Sequence, residues 1–229
     1  MSAIVLHTVD EQQIEIPPGL DTLAKFRRWA FSKAFPDRGR IDYICGRIEV
    51  DMAAERIFSH GTPKIELIRV LGNYLDQRDF GHLFSDRTRV SSVDGDLSAE
   101  PDVVFVTYES LDEGRVVLAE PSHSEPVDFL ELQGGPDLVI EIVSPSSIKK
   151  DTRDLPRAYF DAGVREYWLV NALHDEFEFQ IFHRGRSGFV ARRPDREGFQ
   201  KSVVLGAHVL MKQRISSRGH PSYRLTIRF

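Results

Sequence analysis

The chain has 229 residues, 41% of them hydrophobic and 28% charged, a balance that predicts a packed domain rather than a disordered chain. Its formal net charge of −5 argues against a tight non-specific nucleic-acid binder, because such proteins usually carry a basic excess. The single cysteine, Cys45, excludes an intramolecular disulfide and a zinc site built from several thiolates.

The chain shows no membrane-spanning or secretion pattern. No run of apolar residues is long enough to cross a bilayer, and residues 1–10 lack the basic start and apolar run of a secretion signal. We therefore expect a cytoplasmic protein that does not contact a membrane.

The first part of the chain predicts a tail, a helix and a pair of strands. Residues 1–20 end in two prolines and a glycine and are interpreted as an N-terminal tail. Asp21 is a candidate N-cap for a helix that extends to about residue 34. Strands are predicted at residues 41–44 and 47–52, and Cys45 between them is interpreted as a buried structural thiol.

The clearest helix is predicted over residues 62–77. Thr62 would cap it with Glu66 as a reciprocal partner, and Pro63 suits its first turn. Its predicted buried stripe consists of Ile65, Ile68, Leu71, Gly72 and Leu75, and it is widened by Leu67, Val70 and Tyr74.

The rest of the chain alternates short strands with one further helix. Strands are predicted at residues 82–86, 88–93, 103–107, 116–119, 129–132 and 138–143, with a polar stretch between the fourth and the fifth. A helix between about residues 150 and 162 leads to a strand at 166–170, an order that predicts a parallel crossover. After residue 171 the pattern contains only strands, so we expect an α/β domain with a C-terminal β extension.

Two acidic residues interrupt strands that are otherwise apolar. Asp102 precedes the strand at 103–107, and Glu141 lies within the strand at 138–143. A buried carboxylate is costly unless a cation or several hydrogen-bond donors meet it. If the strands are neighbours, the two acids can share one Mg²⁺ or Mn²⁺ ion, since such ions take oxygen ligands and keep several waters. A structural reading stays open, in which Asp102 belongs to a turn and Glu141 pairs with an arginine.

Three motifs resemble a known family. They are EPDVVFV at 100–106, PDLVIEIVSPSS at 136–147 and AGVREYWLV at 162–170, and over about residues 40–185 the chain resembles the Uma2 family of restriction-endonuclease-like proteins. His60 and the sequence KDT at 150–152 also fit the family pattern. The resemblance implies a restriction-endonuclease core, a mixed sheet flanked by helices, within a single domain over residues 21–229.

The resemblance also implies a function. Proteins of this PD-(D/E)XK type are metal-dependent nucleases, and their metal-binding carboxylates correspond here to Asp102 and Glu141. The implied activity is Mg²⁺- or Mn²⁺-dependent hydrolysis of phosphodiester bonds, with DNA as the expected substrate. A homodimer is expected, because cleavage of a duplex requires two strands to be cut.

The usual catalytic lysine of this superfamily is missing. It stands two residues after the glutamate, where this chain has Val143, and another common lysine position in the family holds Leu155. Lys149 and Lys150 remain at the start of the following helix, and we favour Lys150 as the residue that holds the attacking water. A solvated lysine at a helix end is the alternative.

Other residues are secondary candidates. A third carboxylate from an early element is common in this superfamily, and Glu49 or Glu66 could supply it. His60 could act as a base or orient a ligand, although a loop or capping role would also explain it. The absent lysine and the acidic net charge keep a second function open, that of a catalytically inactive nuclease fold that binds nucleic acid or another protein.

Overall fold

Two six-stranded sheets dominate the part of the chain that the structure describes. The computed structural model describes residues 4–7, 13–119, 129–173 and 176–229. Its strands are β1 (Ile4–His7), β2 (Gln13–Ile16), β3 (Arg40–Ile44), β4 (Arg47–Asp51), β5 (Gly81–Ser85), β6 (Arg89–Ser92), β7 (Leu97–Ala99), β8 (Val103–Thr107), β9 (Val116–Ala119), β10 (Glu131–Gly134), β11 (Leu138–Ile142), β12 (Glu166–Asn171), β13 (Glu178–Arg184), β14 (Phe189–Ala191), β15 (Gln200–Ser202), β16 (Ala207–Ile215) and β17 (Pro221–Arg228). Its helices are α1 (Leu23–Ala30), α2 (Thr62–Asp76), α3 (Tyr108–Asp112) and α4 (Leu155–Asp161), with π-helical turns at Ile57–Gly61 before α2 and at Lys150–Asp154 before α4.

The strands form mixed sheets. The first sheet has the order β4-β3-β7-β6-β10-β9 and the second the order β14-β13-β12-β11-β8-β5. Strands β6 and β10 are parallel, as are β11 and β12, so the predicted crossover through α4 is confirmed. Strands β15, β16 and β17 form an antiparallel sheet, the predicted C-terminal β extension. The predicted fold class is therefore confirmed.

The second sheet is buried on both faces, because successive side chains of a strand point to opposite sides. One face packs on α2 and the C-terminal sheet through Val103, Phe105, Leu138, Ile140, Leu67, Leu71, Val209 and Leu225. The other face packs on α4 through Val104, Val139, Leu155, Ala158 and Tyr159. Full burial of one such side chain contributes roughly 1.5–3 kcal/mol, so both helices are held firmly against the sheet.

The N-terminal residues depart from the predicted tail. Strands β1 and β2 pair as an antiparallel hairpin, and Ile14 and Ile16 of β2 are buried in the same cluster as Phe26 of α1. Thr22, rather than Asp21, caps α1 by accepting a hydrogen bond from the amide of Lys25. Strand β2 alternates polar and apolar residues, but two prolines follow it directly, and they led to the prediction of a tail.

Helix α2 also begins differently from its prediction. It continues directly from a π-helical turn, and the Thr62 hydroxyl donates to the carbonyl of Ile57 instead of capping the helix. The Glu66 carboxylate accepts from Arg69, so the predicted capping pair of Thr62 and Glu66 does not form. The predicted buried face is wrong at Ile65, which is 68% exposed, whereas Leu67, expected to widen the stripe, is fully buried.

Cys45 is exposed, which corrects its interpretation as a buried thiol. It lies with Gly46 in the turn between β3 and β4, where both residues have positive φ angles of 48° and 79°. Two-residue hairpin turns with both φ angles positive match the twist of the flanking strands. The turn therefore points this side chain away from the core.

Short elements account for most of the other differences. The sequence predicted neither β7 nor α3, and it placed β10 two residues too early. The polar stretch predicted between β9 and β10 lies mainly in 120–128, outside the described residues. None of the helices in the described ranges combines the length and apolarity that crossing a bilayer would require.

Candidate active site

The two predicted metal-binding acids lie on adjacent strands. In the antiparallel pair β8–β11, Val103 is the partner of Ile140, and continuing this register by one residue places Asp102 opposite Glu141. Opposite residues of an antiparallel pair project from the same face. This is the face that packs on α4, and both acids are buried, with exposures of 0% and 1%. The fold therefore brings the two acids together.

Asp102 is surrounded by donors. Its Oδ1 accepts from Nη2 of Arg40 at 2.8 Å and lies 3.4 Å from Nζ of Lys64. Its Oδ2 accepts from the amide of Ile142 at 2.8 Å and lies 3.3 Å from Nε2 of His60. Burial alone would raise the pKa of Asp102, but the hydrogen bond with His60 and the charge of Arg40 hold that pKa well below its usual value.

Glu141 has the opposite environment. The Tyr159 hydroxyl donates to its Oε1 at 2.7 Å, whereas its buried Oε2 has no hydrogen-bond partner within the described ranges. Burial, together with the negative charges of Asp102 and Asp151, raises the pKa of Glu141 well above the ordinary value. A carboxylate oxygen left without a donor in the interior is costly, which is the expected situation for an oxygen that awaits a cation.

Lys150 lies inside the cluster. It begins the second π-helical turn, and its Nζ lies 2.8 Å from Oδ2 of Asp42 on β3. Its burial would lower the pKa of the ammonium group, but the charges of Asp42 and Glu141 raise it, so Lys150 remains protonated. Lys149 is exposed. Of the two lysines considered from sequence, the structure therefore brings only Lys150 to the acids.

Two of the secondary candidates lie near this cluster. His60 bridges Asp102 and Glu55, whose Oε1 is 2.7 Å from the ring Nδ1. Burial would lower the pKa of His60, but its hydrogen bonds to these two acids raise it. Glu49 is the β4 partner of Asp42, so the two side chains share one face of the first sheet.

Glu66 lies at a different place. Its carboxylate pairs with Arg69 and accepts from the backbone amide of Leu225 at 3.0 Å. It therefore joins α2 to the C-terminal sheet, and the structure does not bring it into the cluster around Asp102 and Glu141.

A cleft of about 400 Å³ opens over the cluster. Its walls include Arg40, Glu55, Arg56, His60, Lys64 and Asp86. Three of these residues contact Asp102 directly, so the cleft gives a ligand access to the neighbourhood of that acid.

Comparisons with known proteins identify the family. A family model described as "Uma2: Putative restriction endonuclease" matches residues 23–211. The chain belongs to the Uma2 family. The match spans every residue of the cluster, and it confirms the resemblance carried by the three sequence motifs.

One solved structure similar to this Uma2 chain is a crystal structure described as a putative nuclease belonging to DUF820 from Anabaena variabilis. The similarity has a TM-score of 0.59 at 18% identity and covers 81% of this chain and 90% of that chain. At this identity the likeness establishes a shared fold. No curated protein matches the chain.

Several residues of this Uma2 site escaped the sequence analysis. Asp42 interrupts the apolar strand β3 just as Glu141 interrupts β11, so the same signal was available for it. Lys64 shares the buried face of α2 with Leu67 and Leu71, at helical spacings of three and seven residues. The positions of Arg40 and Glu55 depend on how distant segments pack, and no local pattern indicates them.

Charges in the Uma2 cluster nearly balance. Asp42, Asp102, Glu141 and Asp151 face Arg40, Lys64, Lys150 and His60. Asp151 is a further acid that the sequence did not indicate; its Oδ2 accepts from the Ser147 hydroxyl, and burial raises its pKa to about 7. Because two of the four acids hold protons more tightly than usual, the interior avoids a large net charge.

The residues of the site fit one particular kind of metal binding. Within the described ranges no three or more histidine, cysteine, aspartate or glutamate side chains are grouped to hold an ion. The site is therefore no closed cage of protein ligands. Two adjacent carboxylates, one with an oxygen that lacks a donor, suit an ion such as Mg²⁺ that retains several waters and is completed by substrate phosphate.

Proposed function

We propose that this Uma2 protein is a metal-dependent phosphodiester hydrolase that cleaves DNA. The observation that carries the proposal is the pairing of Asp102 with Glu141 on neighbouring strands, with one buried Glu141 oxygen left without a donor. The family description as a restriction endonuclease supports DNA as the substrate.

Each residue of the cluster has a part in this proposal. Asp102 and Glu141 would hold Mg²⁺ or Mn²⁺, and a bound ion would supply positive charge to the scissile phosphate and its attacking water. Lys150 stays protonated and is held beside Glu141 by Asp42, so it can orient that water and offset the developing negative charge. A homodimer would present two such sites to the two strands of a duplex.

Arg40 holds Asp102 in place while part of its side chain remains accessible. Its guanidinium group binds Asp102, and 23% of the side chain is exposed in the cleft. A planar guanidinium can bind a carboxylate and a phosphate at the same time, because it has five donors. Arg40 is therefore suited to orient the acid and to receive substrate phosphate.

One observation favours a second function, that of a nuclease fold that binds nucleic acid without cutting it. Both oxygens of Asp102 already accept from protein donors, and an ion would have to share or displace them. In a binding module these contacts would be permanent and the protein would have no affinity for Mg²⁺ or Mn²⁺. Metal affinity therefore separates the two functions.

A plasmid-nicking assay with Mn²⁺ tests the proposed activity. Asp102→Ala and Glu141→Ala should each reduce nicking of supercoiled DNA by at least about 100-fold, because each removes a ligand of the ion that stabilises the transition state. Lys150→Met should slow it by roughly 10- to 100-fold by removing a buried positive charge.

Lys149→Met is the matched control for the lysine. It removes the same charge one residue earlier, from an exposed side chain, and should leave nicking unchanged. Equal nicking by the wild type and both alanine variants would mean a contaminating nuclease and would contradict the proposal.

A further inference from the structure

We propose that His60 and Lys64 form an anion site for a phosphate group of the substrate, and that Glu55 occupies this site in the structure. One carboxylate oxygen, Oε1 of Glu55, lies 2.7 Å from Nδ1 of His60 and 2.7 Å from Nζ of Lys64. A phosphate oxygen makes the same short contacts with nitrogen donors. The choice of a phosphodiester as the anion rests on the proposed function.

The two sides of this contact differ in burial. The side chains of His60 and Lys64 are 9% and 6% exposed, and both contact the buried carboxylate of Asp102. The Glu55 side chain is 51% exposed. The donors are therefore built into the fold, whereas the carboxylate lies on the solvent side of the contact, where another anion can replace it.

The segment that carries Glu55 lies at the mouth of the cleft. Residues 52–56 join β4 to the first π-helical turn without regular structure, and all five are exposed. By contrast, His60 lies in that π-helical turn and Lys64 in the first turn of α2. The Arg56 carbonyl accepts from the amides of His60 and Gly61 and anchors the end of the segment. A rotation of the Glu55 side chain would free both donors and leave this anchor in place.

The position of the donors explains why a phosphate would be useful there. Both line the 400 Å³ cleft and contact Asp102, so a phosphate bound to them would lie next to the proposed metal ligand. Asp86 also binds Nζ of Lys64 at 2.7 Å through a half-exposed side chain. Two displaceable acids thus neutralise the same lysine, and substrate phosphate would replace them. Glu55 consequently acts as an internal competitor of the substrate.

Binding of a fluorescein-labelled single-stranded DNA oligonucleotide, measured by anisotropy with EDTA present, tests this site without any catalysis. Glu55→Gln should tighten binding by roughly five- to tenfold, since it removes a carboxylate that competes with phosphate. Inorganic phosphate should compete with the oligonucleotide more strongly in this variant. Adding Lys64→Met to Glu55→Gln should abolish the gain.

Asp51→Asn is the matched control. Asp51 lines the same cleft and is half-buried, but its partners are the amide of Ala53 and the hydroxyl of Ser146. The control removes the same charge and should change affinity by less than about twofold. Equal gains in the two variants, a gain from Glu55→Gln that persists without Lys64, or no detectable binding by any protein would overturn the inference.

The outcome separates this inference from the proposed function. If Glu55→Gln tightens oligonucleotide binding but the protein shows no Mn²⁺-dependent nicking, the anion site is supported and the nuclease activity is rejected. Nicking that depends on Asp102 and Glu141, together with oligonucleotide affinity indifferent to Glu55, would do the reverse.

Discussion

At the scale of single residues, two pairs of buried acids differ in how their oxygens are satisfied. Asp102 and Asp137 have donors at both oxygens, and their pKa values are lowered. Glu141 and Asp151 each keep one buried oxygen without a partner among the described residues, and their pKa values are raised. Structural acids are usually fully satisfied. Glu141 is the member of the unsatisfied pair that lies opposite Asp102, so its unpartnered oxygen is the one that the proposed ion would bind.

Asp137 is a buried acid whose two oxygens both have donors, and its replacement should destabilise the fold. Its Oδ2 accepts from the amide of Thr107 at 2.8 Å and from the hydroxyls of Thr107 and Ser110, and its Oδ1 binds Arg165 at 3.0 Å. Asp137→Asn places an amide N–H against groups that donate, so we expect a loss of roughly 2–4 kcal/mol in the free energy of unfolding. Urea denaturation at neutral pH measures it.

The pH dependence of that loss has a definite sign. Burial would raise the pKa of Asp137, but the hydrogen bonds from Ser110 and Thr107 lower it below 3.8 in the folded state. Its contribution to stability is therefore present above the unfolded pKa and disappears as pH falls through the folded value. The stability gap between wild type and Asp137→Asn should stay constant near neutral pH and narrow as pH falls below about 4, the ordinary pKa of an aspartate.

Asp21→Asn provides the comparison. Asp21 is exposed and pairs with Lys25, so its replacement should change the free energy of unfolding far less than Asp137→Asn does. A gap for Asp137→Asn that is equally small, or that widens as pH falls, would show that the buried hydrogen bonds are not the source of the stability.

At the scale of elements, the sequence indicated long buried elements and missed short ones. Strands β8, β11 and β12 are runs of five or six mostly apolar residues, and their order around α4 fixed the parallel crossover. Strand β7 has three residues and helix α3 has five, too few for a period to be recognised.

The same reasoning explains which site residues could be predicted. Asp102, Glu141 and Lys150 all lie along the β8–β11–α4 path, where the family motifs are found. Arg40 and Asp42 come from the first sheet, so the contact of Arg40 with Asp102 and that of Asp42 with Lys150 depend on tertiary packing that no local pattern describes.

Replacement of glycine by alanine should have opposite effects on stability at two positions of the chain. A Cβ added at Gly135, just before β11, would lie 2.4 Å from the carbonyl oxygen of Ala162 at the end of α4. Gly135→Ala should therefore destabilise the protein by about 1–3 kcal/mol. Gly72 lies inside α2, and a Cβ added there would meet no other part of the protein within 4 Å. Gly72→Ala should therefore stabilise the protein by about 0.5–1 kcal/mol, because alanine has the higher helix propensity.

Thermal unfolding of the two glycine variants beside the wild type checks this prediction. A Gly135→Ala variant that melts at or above the wild-type temperature would contradict the close packing of the β10–β11 loop on α4. That packing matters to the site because α4 carries Tyr159, the donor to Glu141.

At the scale of the whole molecule, the site lies where the two sheets meet. The first sheet supplies Arg40 and Asp42, and the second supplies Asp102 and Glu141. The helical segments on the two faces add donors from opposite directions.

Family membership and fold could be predicted from sequence because both follow from motifs along β8, β11 and β12, and the comparisons confirm them. The chemistry could be predicted only in outline. The motifs point to the two acids, but whether their side chains accept an ion depends on the donors already bound to Asp102, which come from β3, the first π-helical turn and α2.

Calorimetric titration with Mn²⁺ at neutral pH tests most directly whether Asp102 and Glu141 share one divalent ion. We predict one ion per chain for the wild type, and affinity reduced at least about tenfold in both Asp102→Asn and Glu141→Gln, since each removes a charged ligand. Glu66→Gln, at the C-terminal sheet, should bind as the wild type does. A wild type without Mn²⁺ affinity, or with affinity that survives both replacements, would contradict the shared site and favour the binding module.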